Sequence, residues 1–88
     1  MLAEYIPKGK TNAMTGRELS QMLQVSNRQI RAEIEKLRRD GLVICSSSRG
    51  EKKGYYIPEN EHEKEEFLNQ YESYIKQMRR TLYEMRGY

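Results

Sequence analysis

Four side chains with planar hydrogen-bonding groups fall within five consecutive positions: Asn27, Arg28, Gln29 and Arg31. Arginine can donate two hydrogen bonds to guanine O6 and N7, and asparagine or glutamine can bind the edge of adenine in a similar two-point manner. Arg28 and Arg31 are the strongest candidates for such base contacts, followed by Asn27 and Gln29. An ordinary basic helix surface is the alternative interpretation.

A second set of side chains is suited to phosphate oxygens, which accept hydrogen bonds and attract cations. Thr15 and Ser26 are expected at helix N-termini, where hydroxyl groups and backbone amides can meet a phosphate. The cationic candidates are Arg17, Arg49, Lys52 and Lys53. Arg38 and Arg39 are set aside, because they could pair instead with Asp40 or with glutamates.

The sequence gives poor support for an enzyme. Its one histidine, His62, lies among glutamates with no cysteine or second histidine nearby, so the ligand spacing of a metal site is absent. A phosphate-binding glycine loop of the GxxxxGK[ST] type is also absent. We therefore expect a binding module with no catalytic residue, no metal, no cofactor and no evident small-molecule ligand.

Residues 14–42 are predicted to form two helices joined by a tight turn, and this pair would position the candidate side chains. Thr15 is followed three residues later by Glu18, and Ser26 is followed in the same way by Gln29. This spacing is typical of a capping box, in which the two side chains satisfy opposite amides of a helix's first turn. Each pair therefore predicts the start of a helix.

Apolar residues in the same segment repeat at helical spacing. The two stripes consist of Leu19, Met22 and Leu23, and of Ile30, Ile34 and Leu37. Val25 is expected to fill the turn between them, and Gly41 suits the left-handed position that follows a helix end. Burial of the second stripe would leave Asn27, Arg28 and Arg31 on the outer side of the second helix.

Two short strands are predicted around a polar loop. Residues 42–45 are apolar and partly β-branched, residues 46–54 contain no apolar side chain, and residues 55–57 are strand-like again until Pro58. A β-hairpin with a basic tip, or wing, is the favoured interpretation, and a flexible surface loop is the alternative. Residues 13–14 are expected to add a short strand beside it.

Two further helices are predicted at the ends of the chain. Residues 2–6 would form a short one that Pro7 ends, with Leu2, Tyr5 and Ile6 facing inward. Asn60 with Glu63 is a third capping box, and it opens a helix that runs without glycine or proline to about residue 85 or 86.

The last helix carries an apolar seam at alternating spacings of three and four, which is typical of a coiled coil. The seam consists of Leu68, Tyr71, Ile75, Met78, Leu82 and Met85. Phe67 and Leu68 are expected to pack against Leu2 and Ile6, which leaves the later turns for a second copy of the chain. Glutamates near the start and arginines near the end favour antiparallel pairing, but Tyr71 is bulky for a seam and the orientation stays open.

Composition limits the size and the class of the protein. The 88 residues are enough for one domain, and 36% hydrophobic against 33% charged residues indicates a small core. Residues 1–58 carry a net charge of +5 and residues 59–88 a net charge of −2, which suits a polyanionic partner for the first part. One cysteine and the lack of a long apolar run predict a cytoplasmic protein that does not enter membranes.

The motif Leu19-x-x-x-Leu23-x-Val25-Ser26 is followed by Ile30-Arg31, Glu33-Ile34, Leu37 and the run from Gly41 to Ile44. Together these residues resemble the helix-turn-helix of DeoR-type and biotin-repressor-type winged-helix regulators, over residues 14–58. Ala32 stands where DeoR-type sequences usually carry a second arginine. The resemblance implies that residues 26–40 lie in the DNA major groove and that the wing at 46–54 meets the backbone or the minor groove.

The sequence thus predicts a mainly α fold with a small β-hairpin. Residues 1–58 would form a winged helix-turn-helix domain, and residues 59–88 a C-terminal helix that dimerises. The predicted function is sequence-specific binding of double-stranded DNA by a homodimer, in transcriptional regulation. A winged-helix module that binds protein within a replication or transcription assembly is the alternative, and salt dependence separates the two, because phosphate contacts release counterions.

Overall fold

The computed structural model describes residues 2–48 and 52–87, and it is mainly helical with one small β-hairpin. In chain order, the elements are 3₁₀ helices at Leu2–Tyr5 and Lys10–Asn12, helix α1 at Gly16–Leu23, helix α2 at Asn27–Arg39, strand β1 at Cys45–Ser47, strand β2 at Gly54–Tyr56 and helix α3 at Glu61–Arg86. This order confirms the predicted fold class, a helix-turn-helix with a hairpin and a long C-terminal helix.

The first two predicted capping boxes are present at the starts of α1 and α2. At α1, the Thr15 hydroxyl accepts a hydrogen bond from the Glu18 amide, and the Glu18 carboxylate accepts one from the Thr15 amide, both at 3.0 Å. At α2, the corresponding Ser26 and Gln29 bonds measure 3.1 and 2.9 Å. Because each box satisfies amides that have no partner inside the helix, the chain begins both helices where the sequence predicts.

The turn between α1 and α2 differs from the prediction at Val25. Gln24 adopts the left-handed conformation, with φ of 58°, and ends α1. Leu19, Leu23 and Ile30 already fill the space between the two helices, so Val25 stays exposed at the surface. The prediction that Val25 fills the turn is therefore wrong.

The end of α2 follows the predicted glycine signal. Gly41 has φ of +99°, and its amide donates to the Arg38 carbonyl while the Leu42 amide donates to the Leu37 carbonyl, both at 3.0 Å. This pair of bonds is the Schellman arrangement, which satisfies the last carbonyls of a helix. The arrangement ends α2, and the chain then turns toward the hairpin.

The main core lies between α2, α1 and the first 3₁₀ helix. Its buried members are Leu2, Ile6, Leu19, Ile30, Ile34 and Ile44, with Leu23 and Leu37 packed at its edge. Tyr5 and Met22 are exposed, although the sequence analysis placed both inward. Leu2 and Ile6 suffice to cover α2, and the short α1 buries only the edge that carries Leu19 and Leu23.

The hairpin begins three residues later than predicted. Strand β1 pairs antiparallel with β2, with Cys45 opposite Tyr56 and Ser47 opposite Gly54. The apolar run before it leads from α2 into the hairpin, and Ile44 in this run is fully buried in the main core. Apolar character at residues 42–44 therefore reflects burial of a connection rather than strand pairing.

Residues 13–14, predicted to form a short strand, instead contact the outer edge of β2 at one position. Met14 forms a single antiparallel bridge with Tyr55 through bonds of 3.0 and 2.7 Å. Gly54 has φ of +129°, and a β-carbon at this position would collide with the Met14 carbonyl group. Glycine at position 54 is thus required by the close approach of these two backbones.

Helix α3 attaches to the hairpin rather than to the first 3₁₀ helix. Phe67 is buried with Ala13, Cys45 and Tyr56 in a second cluster, so the predicted packing of Phe67 and Leu68 on Leu2 and Ile6 is wrong. The reason is topological: α3 follows directly from β2 and packs on β1, whereas the first 3₁₀ helix packs on α2.

The predicted cap of α3 is present in part. The Asn60 side chain accepts a hydrogen bond from the Glu63 amide at 2.9 Å. The Glu63 carboxylate returns to the Glu59 amide at 3.0 Å instead of the Asn60 amide. Lys10 also ties this start to the body, because its ammonium group lies 3.0 Å from the Glu66 carboxylate.

Beyond Phe67, every described residue of α3 is exposed. The helix therefore extends past the body with its apolar seam uncovered. No helix in residues 2–48 and 52–87 combines the length and the apolar character needed to cross a bilayer.

The two hairpin strands place Cys45 and Tyr56 side by side in the second cluster, where their side chains are hydrogen-bonded. Burial raises the pKa of the Cys45 thiol to about 11 and the pKa of the Tyr56 hydroxyl to about 12. Both groups are therefore neutral at physiological pH, and ionisation of either opposes the folded state.

This pair predicts a loss of stability at alkaline pH. The Cys45 contribution is present below the unfolded pKa of 9.0 and is lost as pH rises toward 11, which corresponds to about 2 kcal/mol of unfolding free energy. Urea unfolding followed by circular dichroism between pH 8 and about 11 measures it. In Cys45→Ala the decline should begin only near pH 10, where Tyr56 starts to ionise in the unfolded chain. Identical pH profiles for the two proteins would contradict the assignment.

Candidate nucleic-acid interface

The outer face of α2 carries the side chains that were selected for base contacts. Ile30 and Ile34 are buried in the main core, so the opposite side of the helix faces solvent. Asn27, Arg28 and Arg31 are all exposed. Arg28 and Arg31 are three residues apart and therefore neighbours on one helix face. Their role as base contacts stays a prediction, but the helix presents them as that role requires.

Gln29 is also exposed, but its carboxamide is partly occupied. Its Oε1 accepts the Ser26 amide hydrogen bond that completes the α2 capping box. Only the amide nitrogen then remains for another partner. A two-point contact with adenine needs both groups, so Gln29 could make it only by opening the box.

The two capping boxes differ in charge. The α1 box is closed by a carboxylate, Glu18, and the α2 box by a neutral amide, Gln29. The Thr15 backbone amide and then its hydroxyl lower the pKa of Glu18, and the charge of Lys52 adds to this effect. A fixed negative charge therefore lies at the start of α1, where it repels phosphate.

This difference separates the two hydroxyls that were predicted to meet the DNA backbone. At Thr15, both the hydroxyl oxygen and the amide are engaged by Glu18. Ser26 is engaged by Gln29 in the same way, but no carboxylate lies in the first turn of α2 to repel a phosphate. Of these two hydroxyls, we therefore expect Ser26 rather than Thr15 to contact a phosphate.

The starts of α1 and α2 and the strand β2 converge on one face. A β-carbon added at Gly16 would lie 3.4 Å from the Asn27 side-chain oxygen and 3.7 Å from the Tyr55 ring. Tyr55 is in turn bridged to Met14, directly before the α1 cap. The first turn of the candidate reading helix is thus continuous with the base of the hairpin.

The cationic candidates around this face are exposed where the structure describes them. Arg17 lies in the first turn of α1, and Lys52 and Lys53 lie just before β2. The influence of Lys52 on Glu18 places the hairpin's second arm near the start of α1. Arg49, the fourth cationic candidate, lies outside the described residues.

Arg38 was set aside because it could pair with Asp40 or with glutamates, but the structure gives it different partners. Its guanidinium group donates two hydrogen bonds to the Ile44 carbonyl, at 2.9 and 2.6 Å. The same group lies 5.3 Å from the centre of the Phe67 ring and 5.6 Å from that of Tyr71. Arg38 thereby joins α2 to α3 instead of pairing with Asp40.

A signal for this position exists in the sequence. Arg38 follows Ile34 by four residues and Ile30 by eight, so it continues the buried stripe of α2. A cation on a buried stripe requires hydrogen-bond acceptors or aromatic rings close by. The sequence contains such rings in α3, but it does not show that the helix returns to this point.

Residues 2–48 and 52–87 contain no cluster of three side chains that could hold a metal ion. His62 is exposed at the start of α3, with its ring nitrogen 3.8 Å from the Glu66 carboxylate. Cys45 is buried with a raised pKa, which keeps the thiol protonated and unreactive.

Comparison with known protein families gives one match. A family model described as an HTH domain matches residues 3–56. The chain belongs to this helix-turn-helix domain family. The match runs from the first 3₁₀ helix to the end of β2, and α3 lies outside it. No curated protein and no solved structure matched the chain.

Membership of this family supports DNA binding by the body of the protein, with a regulatory role. The helix-turn-helix of such domains places its second helix in the major groove, and here that helix is α2. The narrower resemblance to DeoR-type and biotin-repressor-type regulators stays a prediction.

The charge difference between the two caps predicts opposite effects of two matched substitutions. Gln29→Glu keeps the capping box of α2 but adds a carboxylate beside the phosphate backbone, so affinity for DNA should fall about tenfold at low salt. Glu18→Gln removes the corresponding charge at α1, and affinity should stay the same or rise. Fluorescence anisotropy with a random-sequence duplex at two salt concentrations measures both.

The helix content of both variants, followed by circular dichroism, serves as the control for the caps. If Gln29→Glu bound DNA as well as the unsubstituted protein while α2 remained intact, the start of α2 would not lie against phosphate.

Proposed function

We propose that the protein is a sequence-specific regulator of transcription that binds double-stranded DNA as a homodimer. In this proposal α2 enters the major groove, and the hairpin touches the backbone or the minor groove. The observation that carries it is the first half of α2, where Arg28 and Arg31 are exposed outside the stripe of buried Ile30 and Ile34, beside a neutral cap.

The roles of individual residues follow from their positions. Arg28 and Arg31 would donate to guanine edges and Asn27 would bind adenine, because each has an exposed side chain on the first turns of α2. Ser26, Arg17, Lys52 and Lys53 would hold the phosphates on either side. Phosphate contacts fix the position of the protein on DNA, and base contacts select the sequence.

Within the described residues, the side chains of Arg28 and Arg31 have no hydrogen bond or ion pair with another part of the chain. Binding of these two side chains to DNA therefore breaks no contact within the protein. In contrast, Arg38 is fully committed to the Ile44 carbonyl and two rings, so it supports the interface without touching DNA.

The dimer is proposed from the uncovered face of α3. Leu68, Ile75 and Leu82 retain 37%, 42% and 44% of their surface, although they form one stripe along the helix. Burial of side chains of this kind is worth about 1.5 to 3 kcal/mol each. A second copy of α3 offers a matching stripe, and a two-fold dimer suits a DNA site with two half-sites.

Selection of bound sequences from a pool of random duplexes tests the proposal. A recovered consensus with two related half-sites would support specific reading by a dimer. Affinity that falls steeply with salt is the expected accompaniment, because bound phosphates release counterions. Lack of any enrichment, with little dependence on salt, would instead favour a module that binds protein.

Replacement of one base-contacting arginine should alter sequence choice. Arg31→Ala is expected to weaken binding to the selected site by about 1 to 3 kcal/mol and to relax selection at one or two positions. The contrasting variant, Lys52→Ala/Lys53→Ala, should weaken all duplexes to a similar degree and reduce the salt dependence. Anisotropy titrations against the selected site and single-base variants compare them. Uniform weakening by Arg31→Ala would reassign it as a phosphate contact.

Charges placed in the α3 seam should separate the dimer. Ile75→Asp/Leu82→Asp is expected to convert the dimer into a monomer that keeps the fold of residues 2–58 and loses most affinity for a site with two half-sites. Ser73→Asp/Tyr83→Asp is the matched control, since these exposed residues lie on α3 outside the seam. Sedimentation velocity at protein concentrations of tens of micromolar measures the oligomeric state of the unsubstituted protein and of both variants. A monomeric unsubstituted protein would exclude this dimer.

A further inference from the structure

The charged residues beside the α3 seam follow a regular order. If the seam residues Leu68, Ile75 and Leu82 occupy heptad position a, then Tyr71, Met78 and Met85 occupy position d. The flanking position e then holds Glu65, Glu72, Arg79 and Arg86, one heptad apart. All four are exposed, and two acidic residues precede two basic ones.

The opposite flank carries no charge. Position g holds Phe67, Tyr74 and Thr81. In a parallel pair of helices, an e residue meets a g residue of the other copy. Each charged e residue would then face an aromatic ring or a hydroxyl, and none would find an opposite charge.

In an antiparallel pair, e residues meet e residues of the other copy. Glu72 would then lie beside Arg79 of the second copy, and Glu65 beside Arg86 of the second copy. The two-fold axis repeats both pairs. In the single chain, Glu72 is 3.4 Å from Lys76 in an exposed ion pair, which a second copy's Arg79 can share or replace at little cost.

The apolar residues require the same alignment. Antiparallel pairing about a centre between Ile75 and Met78 brings these two residues together across the axis. Farther from the two-fold axis, Tyr71 meets Leu82 of the second copy, and Leu68 meets Met85 of the second copy. The charged pairs are centred one residue earlier, between Ile75 and Lys76, which is a shift of about 1.5 Å along the helix. Long glutamate and arginine side chains can span this shift, so one placement of the two helices serves both the apolar seam and the charges.

The N-terminal end of the seam, at Leu68 and Tyr71, continues into an apolar groove on the body. The groove has a volume of about 280 Å³ and lies between the end of α2 and α3, where Leu42, Val43, Phe67, Leu68 and Tyr71 line it. Leu68 and Tyr71 belong to both the groove and the seam. In the antiparallel pair, Leu82 and Met85 of the second copy arrive at this point.

We propose that two copies of α3 pair antiparallel, and that Leu82 and Met85 of each copy fill the apolar groove of the other. This inference rests on the homodimer of the proposed function and specifies its interface. Arg38 lines the same groove and stacks on Phe67 and Tyr71. Each reading helix is thereby braced through Arg38 against the helix end of the other copy.

The arrangement also separates the two bodies by a distance suited to DNA. The two Phe67 anchors would lie about 19 residues apart along the shared axis, or roughly 30 Å at 1.5 Å per residue. Half-sites on successive major grooves are about 34 Å apart. A parallel pair would instead place the two anchors side by side at roughly 10 Å.

Disulfide trapping tests the orientation. Chains carrying Leu68→Cys are mixed with chains carrying Met85→Cys, each in a Cys45→Ala background, and oxidised under mild conditions. We expect most cross-linked material to contain one chain of each kind, identified by intact mass. In a parallel pair the two positions would be about 26 Å apart, far beyond the roughly 7 Å that a disulfide spans between α-carbons.

The outcomes separate this inference from the proposed function. A protein that sediments as a monomer would remove the homodimer itself. A dimer in which Leu68→Cys chains cross-link only to each other would be parallel, and a dimer that forms no cross-link in any mixture would use another surface. Both results would overturn the antiparallel pairing and leave the DNA-binding proposal standing.

Charge reversal gives a second measurement that needs no cysteine. Arg79→Glu should weaken dimerisation about tenfold, because two symmetry-related pairs become repulsive. Arg80→Glu, the same change at a neighbouring residue that faces away from the seam, should leave it within about twofold. Glu72→Arg/Arg79→Glu should restore most of the lost affinity. If the dimer affinity of the double variant fell by as much as the losses in Glu72→Arg and Arg79→Glu added together, the proposed pairing would be overturned.

Discussion

The carbonyl of Ile44 and the guanidinium of Arg38 form the interaction on which the arrangement of the helices depends. Two hydrogen bonds join them, and the same guanidinium group stacks on Phe67 and Tyr71 of α3. One side chain thereby connects the candidate reading helix, the segment that leads from it to β1 and the helix proposed to dimerise. A guanidinium suits this place because its planar shape allows stacking while its edge donates hydrogen bonds. Lysine could supply the charge, but it could not bridge the three elements in this way.

The small core explains why such a connection is needed. The body buries two modest clusters, one around α2 and one around Phe67. Neither cluster alone spans from α2 to α3, and Arg38 lies where the two meet. If α3 carries the dimer contact, then its angle to α2 sets the spacing of the two reading helices. In that proposal Arg38 would influence DNA recognition through the angle between the helices, without itself contacting DNA.

The surface proposed to face DNA depends on the absence of a carboxylate at the start of α2 as well as on its cations. The start of α2 is closed by Gln29 and the start of α1 by Glu18. Both residues stabilise a first turn equally well in geometric terms. Only the neutral one leaves the helix's positive end unopposed by a carboxylate. The charge of a capping residue can thus distinguish a helix start that meets phosphate from one that only supports the fold.

The sequence by itself determined the elements whose signals are local. The starts of α1 and α2 follow from hydroxyl and amide or carboxylate side chains three residues apart, and the end of α2 follows from Gly41. The exposure of Arg28 and Arg31 follows from the burial of Ile30 and Ile34 on the other side of one helix. These features need only residues within a turn or two of each other, so spacing along the chain is enough to predict them.

Tertiary structure alone decided which elements meet. Leu42 to Ile44 resemble a strand because they are apolar, but the chain uses them to return from α2, and the pairing begins at Cys45. Phe67 packs on the hairpin instead of on Leu2 and Ile6, and Arg38 finds an acceptor six residues ahead and rings about thirty residues ahead. Such contacts depend on the path of the whole chain. The sequence can show that a side chain will be buried, but it does not show which residue will pack against it. The heptad pattern in α3 is an intermediate case. Its spacing is local and can be read from the sequence, but only the structure shows that the body leaves the seam uncovered after Phe67.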